Sequence, residues 1–519
     1  MTPIDLINLI APSHAAAGPA RRALPVLAPA RLPAVLLTLA LTGCAVGPDY
    51  RRPTLDLPEH WPPVANAPAT GATVGAAPVT ASAAGTHWWT VYADPGLDTL
   101  VGEALANNGD VRIAAARILE ARALAGIADA DRWPAVSASA SQSRNRNSLV
   151  GATPLPPGTP RTTSSSRATL DASYEVDFWG RYQRASEAAR AELLASEAAR
   201  DALHLSLTAQ VVQQYYALRA ADAQEAAVRR VLTLRGETLT LLKKRVVAGI
   251  TSEYDLRQTE AEEATTQSQL AAAVRRRESA EAALAVLLGR SPRAVLAGRI
   301  DRPESGDPAS PLRPAQVTVP DGLPSDLLLR RPDLREAEQR LIAANARIGE
   351  TRAQLFPSIA LTATLGSESA DLADLFTGPA GLFRLAAGLT QPVFQAGRLN
   401  RAEEAATARE AQARAAYVQT VATAFRDVRL ALAAQAAARD TLDAETRRAA
   451  ALQLALAQAN QRYAGGIASR LDVLDVERNL LQAELARYDA EQAQQAAVAD
   501  LFKALGGGWS PSTRTTMPM

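Results

Sequence analysis

The chain of 519 residues has little of the side-chain chemistry that binds metals or forms covalent crosslinks. It contains one cysteine, four histidines and three methionines, and 4% of its residues are aromatic. A single cysteine cannot form an internal disulfide, and the scattered histidines lack the ligand spacing of zinc or copper sites. The 55 Lys and Arg residues against 54 Asp and Glu leave a net charge of +1, which indicates no basic surface for nucleic acid.

The apolar content of 47% is made largely of alanine, which accounts for roughly a fifth of all residues. Alanine is the best helix former and a small packing residue, so long and closely packed helices are expected. The sequence contains no phosphate-binding loop, nucleophile elbow or metal cluster. It therefore predicts no catalytic residue, no metal site and no enzyme activity.

The N-terminus has the pattern of an export and lipidation signal. Three arginines precede an apolar run over residues 32–41, which has the size of a signal-peptide core and is too short to span a bilayer. The sequence Leu-Thr-Gly-Cys follows and resembles a bacterial lipobox, so residues 1–43 are predicted to be a signal peptide. Cys44 would carry S-diacylglycerol and N-palmitoyl groups and anchor the chain. The alternative is a small buried cysteine after an apolar helix.

An internal duplication organises the remaining chain. Residues 180–189 match residues 397–406 at seven of ten positions, with an offset of 217. Upstream, residues 110–134 match residues 333–357 at an offset of 223. These matches predict a lipidated N-terminal tether (44–90), a first repeat (91–289), a proline-rich linker (290–324), a second repeat (325–506) and a flexible C-terminal tail (507–519).

Each repeat is predicted to hold two β-strands. In the clearest case, residues 168–178 alternate apolar side chains with acidic and hydroxyl side chains. The other predicted strands lie near residues 134–144, 358–365 and 383–389. A soluble sandwich shows the same alternation, but strands of about 10 to 12 residues can also cross a membrane. Four such strands cannot close a barrel, so a membrane sheet of this kind requires several chains.

Each repeat also holds a long helix. The spans Gly180–Gly249 and Gly397–Gly465 would each form a helix of about 100 Å, which far exceeds a globular core and needs coiled-coil neighbours. Shorter helices are predicted before the first strand and after the turn of each repeat. We expect these shorter helices to stack end to end beside the long ones: 111–131 with 252–288, and 334–352 with 469–505.

Several segments resemble the outer-membrane factor (TolC-like) family, in its NodT-type lipoprotein branch that includes OprM. They are residues 44–53, 88–89, 94–97, 330–334, 353–357 and 390–398. They occur in order and cover nearly the whole mature chain. The resemblance implies an α+β membrane protein that forms a homotrimer. Long antiparallel coiled-coil helices would form a periplasmic α-barrel, and four strands per chain would form a twelve-stranded outer-membrane β-barrel.

The resemblance also implies a function and partners. The chain would be the outer-membrane exit duct of a tripartite efflux pump, lipid-anchored in the outer membrane and extending into the periplasm. Its partners would be a periplasmic adaptor protein, an inner-membrane transporter of the resistance-nodulation-division type and outer-membrane lipid, with no nucleic acid. The alternatives are the outer-membrane duct of a type I protein secretion system and a lipid-anchored coiled-coil tether without a pore.

Both helical hairpins turn at similar sequences, residues 246–252 and 463–469. Glycines are expected to supply the unusual backbone angles at the ends of the long helices: Gly249, Gly465 and Gly466. After each turn a serine begins a Ser-x-x-Asp capping box, completed by Asp255 in the first repeat and by Asp472 in the second. Helix capping alone therefore explains both aspartates in structural terms.

The resemblance adds a gate at these turns. It implies that Arg462 or Tyr463 links to Asp255 and holds the tip closed, and that Asp472 and Asp475 surround the constriction. In a trimer six carboxylates would converge on the axis, where like charges raise one another's pKa and attract cations. Capping does not explain Asp475, which lies three residues after Asp472 on the same helical face.

Overall fold

The computed structural model describes residues 45–58, 79–80, 87–151, 155–302, 317–318 and 331–508. Cys44 and the predicted signal peptide lie outside the described residues. The helices are α1 (Pro95–Asn107), α2 (Gly109–Ala130), α3 (Arg181–Val247), α4 (Glu253–Leu287), α5 (Pro292–Ala297), α6 (Pro332–Ala353), α7 (Arg398–Ala464) and α8 (Arg470–Ala504). The main strands are β1 (Ala135–Arg146), β2 (Thr162–Val176), β3 (Ser358–Ser369) and β4 (Gly381–Thr390).

The two long helices agree with the sequence prediction. α3 and α7 each contain 67 residues, which corresponds to about 100 Å. Neither helix contains proline, and α7 also lacks glycine, so nothing in their sequences interrupts the backbone hydrogen bonds. Each begins after a glycine in the left-handed conformation, Gly180 or Gly397, where the chain turns from the sheet into the helix.

The shorter helices stack end to end, as predicted, and polar side chains close both junctions. Asn108 caps α2 by accepting hydrogen bonds from the first backbone N–H groups of that helix. Its Nδ2 also donates to the carbonyl of Leu287, the last residue of α4, at 2.8 Å. In the second repeat Arg331 precedes α6 and donates to the carbonyl of Ala504, at the end of α8, at 2.7 Å. The start of α2 and the ends of α4 and α8 thereby find partners.

Glycines allow the backbones to approach closely at these junctions. Gly289 has a φ of +69°, and a Cβ atom placed there would lie 2.3 Å from the carbonyl oxygen of Asn107. Gly506 has a φ of +83°, and its Cβ would lie 3.0 Å from the Cγ of Arg331. Because the first of these contacts is with backbone, a side chain at residue 289 would push the stacked helices apart.

A hydrophobic core lies where α1, α4 and α8 meet the middle of α3. The indole of Trp88, which is 2% exposed, stacks on Phe502 with ring centroids 5.0 Å apart. The hydroxyl of Tyr215 donates to Asp94, which also caps α1. Trp88 and Trp89, at the end of the predicted tether, thus belong to this core. The helix α1, which the sequence did not predict, packs against α3 there.

The four main strands form one antiparallel sheet in the order β1-β2-β3-β4. The central pair, β2 and β3, joins the two repeats, with Ser166 opposite Ser369 and Val176 opposite Ile359. β2 begins at Thr162, six residues before the predicted strand, because a run of serine and threonine continues the ladder with β1 beyond the apolar alternation. The edges of this sheet, β1 and β4, pair with no other described strand.

The two faces of the sheet differ in chemistry, as the alternation predicted. On one face the carboxylate of Asp171 accepts hydrogen bonds from Thr169, Thr364 and Ser139, which lie on three adjacent strands. The opposite face presents exposed apolar side chains, including Leu170, Val136, Leu365, Leu385 and Leu389. Among the described helices, none is both long and apolar enough to cross a membrane.

Candidate functional site

The turn between α3 and α4 closes the first helical hairpin. Gly249 has a φ of +72°, and its N–H donates to the carbonyl of Val246 at 2.9 Å. The N–H of Ile250 donates to the carbonyl of Arg245 at 2.9 Å. These two bonds form the Schellman motif that ends many helices, and only glycine adopts the required backbone angle without strain. The prediction for Gly249 is confirmed.

The turn between α7 and α8 has the same geometry. Gly466 has a φ of +72°, and Ile467 donates to the carbonyl of Arg462 at 2.9 Å. Gly465 instead has a φ of −81°, which any residue can adopt. Its counterpart in the first repeat is Ala248, so the special backbone angle belongs to Gly466 alone. Gly465 therefore lies in the turn, as expected, without itself supplying such an angle.

The two predicted capping boxes differ. In the second turn the hydroxyl of Ser469 accepts from the N–H of Asp472 at 3.2 Å, and the carboxylate of Asp472 accepts from the N–H of Ser469 at 2.9 Å. These hydrogen bonds hold the pKa of Asp472 below its usual value, and the nearby charge of Arg462 lowers it further. In the first turn the hydroxyl of Ser252 accepts from Tyr254 and not from Asp255. The reciprocal box is therefore present only at Asp472.

Three residues were predicted to link the two turns: Asp255, Arg462 and Tyr463. Asp255 lies in the first turn of α4 and is half-buried, whereas Arg462 and Tyr463 lie at the end of α7. Within the described part of one chain, these three side chains make no hydrogen bond or ion pair with one another or with other groups. The structure thus leaves a carboxylate, a guanidinium and a phenol at the two turns available for contacts between chains.

Asp475 has partners that the gate prediction did not include. Its carboxylate forms an ion pair with Arg478, one helical turn later, and accepts from the Nδ2 of Asn479 at 3.2 Å. Both members of the ion pair are about half exposed. The spacing of three residues on one helix could have revealed this pair from the sequence. Asp475 therefore contributes a carboxylate that is partly neutralised by its own helix.

Both turns expose apolar side chains. Val247 is 91% exposed, Ile250 is 69% exposed and Ile467 is 73% exposed. Leaving side chains of this size in water is unfavourable, so their clustering at the end of a hairpin is typical of a surface that meets another protein. Within the described ranges, no group of three or more His, Cys, Asp or Glu residues could hold a metal ion.

The segment that follows Cys44 is attached to the opposite end of the helices. The N–H of Val46 donates to the carbonyl of Trp179, between β2 and α3, at 3.0 Å. Asp49 pairs with Arg184 at 2.7 Å, and the hydrogen bond from this buried arginine lowers the pKa of Asp49. Farther along, Arg52 donates to both carboxylate oxygens of Glu338 on α6. These contacts hold residues 46–52 at the base of the sheet.

A family model described as outer membrane efflux protein matches residues 100–290 and 323–507. The cation efflux system protein CusC of Escherichia coli O6:H1 is 35% identical over 483 residues, which cover 93% of this chain and all of that protein. The probable efflux pump outer membrane protein TtgC of Pseudomonas putida is 36% identical over 492 residues, covering 92% of this chain and 96% of the relative.

Solved structures of similar proteins share the fold. A crystal structure of CusC matches with a TM-score of 0.76 at 33% identity, over 90% of this chain and all of that chain. The open state of the MtrE outer membrane channel of Neisseria gonorrhoeae matches with a TM-score of 0.74 at 34% identity, over 91% of this chain and all of that chain. The predicted fold class, with long helices, a four-stranded sheet and internal duplication, is confirmed.

Proposed function

Because the chain belongs to the outer membrane efflux protein family and is the outer-membrane exit duct of an efflux pump, we propose that it is gated at the turns between its long helices. The chain lies in the outer membrane and extends into the periplasm. The observation that carries the proposal is the continuity of an open four-stranded sheet with helices of about 100 Å, which puts the hairpin turns at the far periplasmic end.

The open sheet explains why the duct needs more than one chain. Its edge strands β1 and β4 would leave unpaired backbone groups in lipid, where each costs several kcal/mol. Pairing β4 of one chain with β1 of the next removes both edges, and three chains of four strands make twelve. The polar face around Asp171 then lines the lumen, and the apolar face with Leu170 contacts lipid.

At the periplasmic end, two groups of residues would control passage. The tip link consists of Asp255, Arg462 and Tyr463. It would join neighbouring chains, because none of these side chains forms a hydrogen bond or ion pair with another described residue of its own chain. The carboxylate ring consists of Asp472 and Asp475, and would surround the axis just inside the tip. Arg478 pairs with Asp475 in every chain and reduces the negative charge of the ring.

Lipidation at Cys44 would anchor each chain beside the barrel. The support comes from the residues that follow, because Ala45 lies against Gly180 and Val46 bonds to Trp179, where the sheet ends and α3 begins. An acylated Cys44 would therefore sit at the membrane boundary, where its chains enter lipid without pulling the segment away from the helices.

The exposed apolar side chains of the two turns would receive a periplasmic adaptor, which would couple the duct to an inner-membrane transporter of the resistance-nodulation-division type. The substrates are a separate matter. The relatives at 34–36% identity include a cation efflux protein and toluene and solvent efflux proteins, so similarity does not select one class.

Ion selectivity tests the carboxylate ring. In planar bilayers with a KCl gradient, the reversal potential of the purified trimer gives its preference for cations. We expect Asp475→Asn to weaken that preference and Arg478→Gln to strengthen it, because the second change leaves Asp475 unpaired. Arg448→Gln is the matched control, since Arg448 forms an ion pair of the same spacing with Glu445 about 24 Å from the end of α7. Equal reversal potentials in all four proteins would contradict the ring.

A further inference from the structure

The face of the sheet that contacts lipid changes character toward the end farthest from the helices. On β2 this face is apolar from Val176 to Ala168, a distance of about 26 Å along the strand. On β1 the corresponding apolar positions end at Ala140, which lies opposite Ala168. The apolar part thus has the height expected for the hydrocarbon region, and it stops before the strands do.

Two arginines follow on the same face. Strand residues alternate between faces, and the unbroken register from Ala138 to Arg146 places Arg144 and Arg146 on the side of Ala138 and Ala140. The bonds of Ser139 to Thr169 and Asp171 show that the odd-numbered residues of β1 occupy the other face. Arg144 therefore points outward about 13 Å along the strand beyond the last apolar residue.

The charges around these arginines are unbalanced. Both are exposed, and neither forms a hydrogen bond or ion pair with another described residue. Residues 135–170 contain four arginines and no Asp or Glu, whereas residues 366–380 of the second hairpin contain three acidic residues and no basic one. A positive charge beside lipid and beyond the hydrocarbon region meets the headgroups of the outer leaflet.

We propose that Arg144 and Arg146 form a binding site for the phosphorylated sugar headgroup of the outer-leaflet glycolipid, lipid A. Guanidinium groups match phosphate geometry through paired N–H donors, and this match favours phosphate over the hydroxyls of the sugar. Two arginines two residues apart on one strand can contact one phosphate or two neighbouring ones. The inference requires the outer-membrane sheet but neither the tip link nor the carboxylate ring.

The test compares binding of bisphosphorylated and dephosphorylated lipid A to the purified trimer by native mass spectrometry. We expect R144Q/R146Q to weaken binding of the phosphorylated form about tenfold or more, and to leave binding of the dephosphorylated form unchanged. The matched control is R167Q/R384Q, which removes two charges from the lumen face of the same sheet. It should bind phosphorylated lipid A as the wild type does. R144K/R146K, which keeps the charges but loses the paired donors, should bind phosphorylated lipid A with an affinity between those of the wild type and R144Q/R146Q.

Other outcomes would overturn the proposal. If the wild type binds both lipid forms equally, or if R167Q/R384Q loses as much affinity as R144Q/R146Q, no phosphate site exists on this face. The rival is an ion pair between chains, in which these arginines meet Asp371 or Asp374 of the adjacent hairpin. In that case R144Q/R146Q and D371N/D374N would lower the thermal stability of the trimer equally without changing lipid A affinity. Trimer mass and single-channel conductance verify the assembly of each variant.

Discussion

Replacing Asp255 with alanine should open the resting duct. The substitution removes the carboxylate of the tip link from all three chains, while Arg462 and Tyr463 keep their positions at the end of α7. The side chain of Asp255 forms no hydrogen bond or ion pair with another described residue of its own chain, so the turn between α3 and α4 loses no capping interaction. The expected effect is therefore on the contact between chains and not on the folding of the hairpin.

The solvent exposure of the three side chains in the tip link sets the size of the expected change in gating. Arg462 is exposed, and Asp255 and Tyr463 are partly exposed, so each link is a solvent-screened interaction. Such pairs contribute about 0.2–1 kcal/mol each, and the three links of a trimer about 0.6–3 kcal/mol. The ratio of open to closed channels should then rise by about 3- to 150-fold. A larger change in this ratio would mean that the tip of the trimer excludes water more completely than the exposure of these residues in a single chain indicates.

Single-channel recording in planar bilayers measures this ratio. Glu253→Ala is the matched control, because Glu253 lies in the same turn of α4 and its carboxylate pairs with Arg257 at 3.0 Å. Tyr463→Phe distinguishes the role of the Tyr463 phenol from that of the Arg462 guanidinium. It should open the duct only if the hydroxyl of Tyr463 donates to Asp255. The reasoning is refuted if Asp255→Ala gates as the wild type does, or if Glu253→Ala opens the duct equally.

Three further predictions concern the anchor, the helix junction and the second cap. Cys44→Ser should abolish acylation. The intact mass of the wild-type mature protein should exceed that of residues 44–519, and the variant should yield no protein of that larger mass. Gly289→Ala should lower the midpoint of thermal unfolding, because its Cβ meets a backbone carbonyl at 2.3 Å, whereas Gly236→Ala, in open space within α3, should raise stability by about 0.5–1 kcal/mol. The pKa of Asp472 is lowered from its usual value of 3.8, so its cap stabilises α8 fully at any pH above 3.8. The stabilisation is lost only as the pH falls through the lowered pKa. Asp472→Asn should therefore speed hydrogen exchange at the start of α8 by the same factor at pH 7 and pH 5.

The repeated architecture could be read from the sequence because its signals are local and periodic. Alternation over residues 168–178 depends only on which neighbours are apolar, and it located β2 to within a few residues at its end. The long helices followed from the alanine content and the spacing of glycines. The closed turns at Gly249 and Gly466 followed from the one residue type that tolerates a positive φ.

Other features depend on groups that are distant in the sequence or on small differences of geometry. The hydrogen bond from Asn108 to Leu287 joins residues 179 positions apart, and no local sequence pattern indicates it. Ser252 and Ser469 stand in the same Ser-x-x-Asp pattern, yet only Ser469 forms the reciprocal box. Ser252 accepts from the second backbone N–H of its helix and Ser469 from the third, and both are ordinary partners of a capping serine.

The sequence by itself determined the duplication, the order of the main strands and of the long and stacked helices, and the need for more than one chain. Each of these follows from periodicity and from element lengths. The tertiary structure decided which charges are free to act at the tip. It showed that Asp472 is held by Ser469, that Asp475 is paired with Arg478, and that Asp255 has no partner within the described chain. The physical reason is that the availability of a charge depends on which groups lie within a few ångströms, and packing sets these distances.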